Sequence, residues 1–212
     1  MKTIVNLILD KSGSMSPGWD DTVGGINSYI KSLKSKLHGK VYFTLTLFDT
    51  HIEKVYQAVS LKQVKPLNKD TYFPDGFTAL YDAVVETIED TCEKIKEFKD
   101  EKVNSLVVIM TDGQENSSVK HDLNCLRDLT TKLQKEERWT FVYLGANQDS
   151  WANASSFGML ADNTANWDSM SQIGITNSFR NLAARTVSYC MTSDTGKGNS
   201  TNFFAGEKDI SK

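Results

Sequence analysis

Apolar positions along the chain fall into two kinds of run. Residues 3–9 are short, β-branched and nearly continuous in apolar character, the pattern of a strand buried on both faces of a parallel sheet. Residues 41–48, 103–111 and 139–144 also read as strands. Between these runs, side chains recur at steps of three and four. The stripes are Val23, Ile26, Ile30, Leu33 and Leu37; Leu80, Val84, Ile88, Cys92 and Ile95; Leu123, Leu126, Leu129 and Leu133; and Ile175, Phe179, Leu182, Thr186 and Tyr189. Each stripe predicts an amphipathic helix. Asp20 or Asp21 is expected to start the first helix and Gly39 to cap its end. Asp149 is expected to cap a short helix through Phe157 that Gly158 closes, and residues 163–167 to add a short last strand.

Residues 52–59 form a further strand-like run, separated from 41–48 by Asp49, Thr50 and His51 alone. So short a link allows only a hairpin, which makes this strand antiparallel, and its Glu53 and Lys54 mark a sheet edge. The remaining strands alternate with helices, as in an α/β domain. Right-handed crossovers then predict a doubly wound, Rossmann-like, six-stranded sheet of order 3-2-1-4-5-6, mostly parallel, with helices on both faces. In such a sheet, ligands gather at the carboxyl ends of the first and fourth strands. Asp10 and Asp112 stand at those two ends.

Asp10, Ser12 and Ser14 fall at alternate positions around Gly13, which lets a tight loop bring their oxygens together. Two readings are open for these three residues. They are oxygen ligands for a hard divalent cation, or they form Asx- and Ser-turns that lead into the next helix. Two more loop stretches, residues 75–83 and 109–113, add Thr78 and Asp112. The set Asp10, Ser12, Ser14, Thr78 and Asp112 resembles the metal-ion-dependent adhesion site of von Willebrand factor A domains, whose pattern is Asp-x-Ser-x-Ser, then Thr, then Asp. Thr78-Ala79-Leu80-Tyr81-Asp82 and Thr111-Asp112-Gly113 also resemble that family's wording, and the element order agrees over residues 1–190.

The resemblance implies the von Willebrand factor A fold and a magnesium or manganese ion, ahead of calcium. It implies that Ser12, Ser14 and Thr78 hold the ion directly while Asp10 and Asp112 act largely through water. It also implies a protein partner that donates an Asp or Glu carboxylate to the ion. Among relatives, the chain is most similar to the small stand-alone cytoplasmic forms of bacteria and phages. Some of these serve stress or metal-resistance systems, and others act as adaptors of chelatase-type ATPases. Lys11, Met15, Pro17, Trp19, Phe77, Gln114, Glu115 and Asn116 are expected to form the rim that selects the partner. Trp19 has a second reading, as a staple on the helix it precedes.

Composition narrows the alternatives. The 212 residues suit one domain over residues 1–192 with a tail over 193–212, and 24 Lys and Arg against 27 Asp and Glu leave a net charge of -3. No basic excess favours nucleic acid, and no apolar run is long enough to span a membrane. The N-terminus runs directly into the first strand, so no removable signal is expected there. The three cysteines are odd in number and far apart, and a cytoplasmic location is expected. A metal-dependent hydrolase is the competing class, because haloacid dehalogenase-type phosphatases also place an Asp after the first strand. Those enzymes need Asp-x-Asp, and Ser12 stands where their general acid would be. The expectation is a binding module with no catalytic residues.

Overall fold

The computed structural model describes residues 1–99, 102–146, 150–193, 201–204 and 206–212. Six strands form one sheet: β1 (Lys2–Asp10), β2 (Lys40–Phe48), β3 (Ile52–Ser60), β4 (Val103–Thr111), β5 (Trp139–Gly145) and β6 (Thr164–Asn166). Their order is β3-β2-β1-β4-β5-β6, and only the β2–β3 pair is antiparallel. This is the doubly wound arrangement expected from the sequence. The helices are α1 (Trp19–Lys36), α2 (Leu80–Glu97), α3 (Leu123–Gln134), α4 (Ser150–Ser156) and α5 (Gln172–Ser193).

The continuous apolar runs follow from burial on both faces. Every residue of β1 and of β4 is buried. In β1, Val5, Leu7 and Leu9 face α1 and α5, packing with Ile26, Leu33, Ile175 and Phe179, whereas Ile8 faces α2 and α3 with Val84 and Leu126. Asn6 belongs to the second face and is fully satisfied. Its amide donates to Ser105 Oγ and Leu106 O, and its carbonyl accepts from Thr91 Oγ1 of α2. The face of α1 against α5 is unusually close, since a methyl group on Gly25 would lie 2.2 Å from the Phe179 ring.

Several local expectations shift. Asp20 and Asp21 lie in the first turn of α1, which begins at Trp19. That helix ends on Leu37 in an extended conformation, so Gly39 does not cap it. The β2–β3 ladder carries irregularities around Leu45, where Ala58 takes φ +45° and donates its N–H to Thr44 Oγ1. Gly158, at φ +75°, closes the chain after α4 as expected, while the cap assigned to Asp149 falls outside the described residues. Beyond α5, Phe203, Phe204 and Ile210 are buried against the α1/α5 face. Backbone bonds tie Asn166 to Lys208 and Ile210, so residues 208–210 lie along the outer side of β6. Among the described residues, no helix is long and apolar enough to cross a membrane.

Candidate metal centre

The centre is assembled by three loops at the carboxyl edge of the sheet. Asp10 ends β1, and its Oδ1 accepts the Ser12 N–H at 2.7 Å, which folds the chain back over the strand end. A 3-10 turn over Gly13–Gly18 follows. Gly13 donates its N–H to Gly76 O, joining this loop to the one that carries Thr78. Asp112 follows β4, the strand paired with β1. Thr78 lies two residues ahead of α2.

These loops bring all five expected residues together. Ser12 Oγ and Ser14 Oγ lie 3.1 Å apart, and Ser14 Oγ donates to Asp112 Oδ1 at 2.6 Å. A methyl group built on Gly113 would meet Thr78 Oγ1 at 3.1 Å, and Asp10 Oδ2 and Ser14 Oγ at 3.8 Å each. Three loops therefore direct oxygens at one small space beside Gly113, where a side chain would press on Thr78 Oγ1. Asp10, Ser12 and Thr78 are buried, whereas Ser14 is exposed, so the space opens to solvent on the Ser14 side.

Charge at this point is under-compensated. Burial pushes the Asp10 carboxyl up to about 6, with hydrogen bonds from Thr111 and Ser12 pulling the other way and the Asp112 charge adding to the rise. Burial raises Asp112 as well, against its bond from Ser14. Two neighbouring carboxylates disfavoured as anions are what a cation would relieve. Among the described residues, no group of three or more His, Cys, Asp and Glu forms a metal cluster. The donor set here is instead two carboxylates with three hydroxyls, hard oxygens suited to magnesium, manganese or calcium.

The rim differs in part from expectation. Met15 is buried in the core beneath the loop. Lys11 is only 15% exposed and pairs with Asp49 at 2.6 Å, so its charge is spent inside the protein. Asp49 also accepts the His51 N–H, which gives it the hairpin-turn role. Trp19 begins α1 rather than preceding it, is partly buried, donates its indole N–H to Tyr72 O and meets the Phe73 ring edge-on, so it is anchored to the loop ahead of Thr78, neither a free rim residue nor a staple on its own helix. Pro17, Phe77, Gln114 and Asn116 are exposed, Phe77 at 65%, and Phe73, against Trp19, is 57% exposed.

No family model matches the sequence, and no curated protein matches it. Solved structures do. Manganese-loaded TRAP protein of Plasmodium vivax superposes with a TM-score of 0.59 at 20% identity, covering 84% of this chain and 73% of its own. Proximal thread matrix protein 1 from the mussel byssus, with a zinc-occupied MIDAS motif, gives 0.59 at 14% identity over 87% of this chain and 46% of its own. A von Willebrand factor type A protein from Catenulispora acidiphila gives 0.55 at 16% identity over 88% and 43%. The chain has the von Willebrand factor A fold. It spans less than half the length of the mussel and Catenulispora proteins.

Within this von Willebrand factor A fold, three further residues shape the centre, of which Thr111 stood out in the sequence only as part of the Thr111-Asp112-Gly113 wording. Thr111 donates its hydroxyl to Asp10 Oδ2 at 2.5 Å, bridging the two central strands behind the space. Its signal was a hydroxyl ending the apolar run Leu106 to Met110, directly before Asp112. Tyr72, fully buried, donates to Asp10 O, and the Trp167 indole donates to Thr111 O. Neither has a local sequence signal, because each reaches the strand ends from a distant loop.

Proposed function

We propose that this domain holds a divalent cation through Asp10, Ser12, Ser14, Thr78 and Asp112, and through it grips an Asp or Glu side chain of a protein partner. The observation that carries the reading is the convergence of oxygens from three loops on the space beside Gly113. Two of the structural neighbours carry manganese or zinc, which supports a cation there. Ser12, Ser14 and Thr78 would touch the ion. Asp10 suits an outer role, since its two oxygens already accept from the Ser12 N–H and the Thr111 hydroxyl. When bound, a magnesium-type ion supplies an electrophilic position that a carboxylate can fill. The exposed Ser14 side gives that carboxylate a path, and Phe77, the chain neighbour of Thr78, offers exposed apolar surface.

The test is a pull-down with the purified domain as bait in magnesium, in EDTA and with Asp112→Ala. Capture of the same protein is expected only in the first condition. It should also survive moderate salt, because a carboxylate bound to a metal in a partly dry interface is worth far more than an exposed ion pair. An ATPase in the captured fraction would make the domain an adaptor for it. Capture indifferent to both EDTA and Asp112→Ala would overturn the reading. A second expected outcome concerns chemistry. No phosphatase or esterase turnover should appear with magnesium present, and turnover abolished by Asp10→Asn would establish a hydrolase instead.

A further inference from the structure

Thr78 is slung between two loops, and the bonds on its two sides differ in kind. The hairpin between β2 and β3 holds its neighbours: Phe77 N–H donates to Thr50 Oγ1 at 2.9 Å, and Ala79 N–H donates to Asp49 O at 2.9 Å. Thr78 itself is held by the loop that follows Asp112. Its N–H donates to the side-chain oxygen of Asn116 at 2.8 Å, and its carbonyl accepts the N–H groups of Asn116 at 3.0 Å and Ser117 at 3.3 Å. One amide side chain thus closes a ring with the Thr78 peptide, joining the threonine-bearing loop to the aspartate-bearing one.

The loop that carries Asn116 is itself tied down. Glu115 Oε1 accepts the N–H groups of Ser117 and Ser118, while Oε2 accepts Tyr81 N–H in the first turn of α2 and the Ser118 hydroxyl. Asp82 accepts from Val119, Lys120 and His121. Both flanks of Asn116 are therefore anchored to the α2 end, so its side chain offers the Thr78 N–H a fixed acceptor beside the backbone bonds to the Thr78 carbonyl.

We infer that Asn116 is a positioning residue for the metal centre: its side-chain oxygen fixes the Thr78 peptide and so aims the Thr78 hydroxyl at the space beside Gly113. This rests on the proposed cation site. Residues that orient metal ligands from behind commonly alter affinity by about 10- to 100-fold. Asn116→Ala should accordingly weaken Mn2+ binding, read by calorimetry, by about tenfold or more. Asn116→Asp keeps the acceptor oxygen and should bind Mn2+ at least as well as the unaltered protein.

Two readouts separate positioning from general loop damage. In the metal-free protein, exchange of the Thr78 amide hydrogen should accelerate in Asn116→Ala and stay slow in Asn116→Asp. In a double-mutant cycle, Asn116→Ala added to Thr78→Ala should weaken Mn2+ binding no further than Thr78→Ala alone, because the two changes act through one hydroxyl. Additive losses, or Asn116→Asp failing as badly as Asn116→Ala, would overturn the inference, as would unchanged Mn2+ affinity in Asn116→Ala. If the unaltered protein binds no Mn2+, the proposed site itself fails, and the Thr78 amide exchange still reports whether Asn116 holds that peptide.

Discussion

Replacing Ser12 and Ser14 together by alanine is expected to remove Mn2+ binding, by about 100-fold or more in affinity, corresponding to roughly 2.7 kcal/mol. Two of the three hydroxyls at the centre would be lost, and the two carboxylates cannot easily replace them. Asp10 is held from behind by Thr111 and Ser12 N–H, and the latter bond is to backbone and survives the change. Asp112 would lose the Ser14 hydroxyl that now directs its Oδ1. Folding should survive, because the hydrophobic clusters on both sides of the sheet do not involve these hydroxyls. Calorimetric titration with Mn2+ and a thermal melt make the comparison. Excess Mn2+ should raise the melting temperature of the unaltered protein, by the usual linkage of ligand binding to stability, and leave the double variant unmoved. EDTA should leave the unaltered protein folded at room temperature. If EDTA unfolds it, the ion is a structural staple.

Asp82→Ala should cost about 1–3 kcal/mol of stability. Asp82 is buried at the start of α2 and accepts the N–H groups of Val119, Lys120 and His121 at 2.8, 3.1 and 2.7 Å. Alanine would leave those donors without their acceptor. Burial disfavours the Asp82 charge, but these backbone donors and nearby His121 outweigh it and hold the carboxyl below its ordinary range. A depressed folded value means the contribution is complete above about pH 4 and lost as pH falls through the folded value. Denaturant melts of both proteins should therefore show the full gap at neutral pH and a shrinking one below about pH 4. A gap that is constant with pH would assign the loss to packing rather than to the carboxylate.

The strand order was legible because it depends on features that survive in one dimension: continuous apolar runs, a three-residue hairpin link and the handedness of crossovers. Of the five oxygen-bearing residues, topology alone placed Asp10 and Asp112, at the ends of the two central strands, whereas Ser12, Ser14 and Thr78 stood out through the resemblance to the adhesion-site pattern. Loop contacts were not legible. Lys11 reads as an exposed rim charge until β2 and β3 bring Asp49 to it, and Met15 reads as rim until the turn folds it under α1. Asn116 looks like any polar loop residue, since its role is a bond to a peptide 38 positions away, which leaves no periodicity behind. The first helix illustrates a subtler limit. Gly39 is a good terminator by residue type, yet Leu37 finds a buried place and turns the chain extended two residues sooner.

The two outer strands of the sheet are guarded against self-association by different means. At β3 the guard is charge, since Glu53 and Lys54 stand on the outermost strand and Lys54 is engaged by Asp90 at 2.6 Å. At β6 the guard is the chain's own segment 206–212, whose backbone occupies Asn166 and whose Ile210, with Phe203 and Phe204, fills an apolar recess. A strand of three residues with its hydrogen-bonding groups exposed beside such a recess is a template for another copy to add to. A preparation trimmed before residue 201 would thus be expected to cloud at concentrations where the longer chain stays clear.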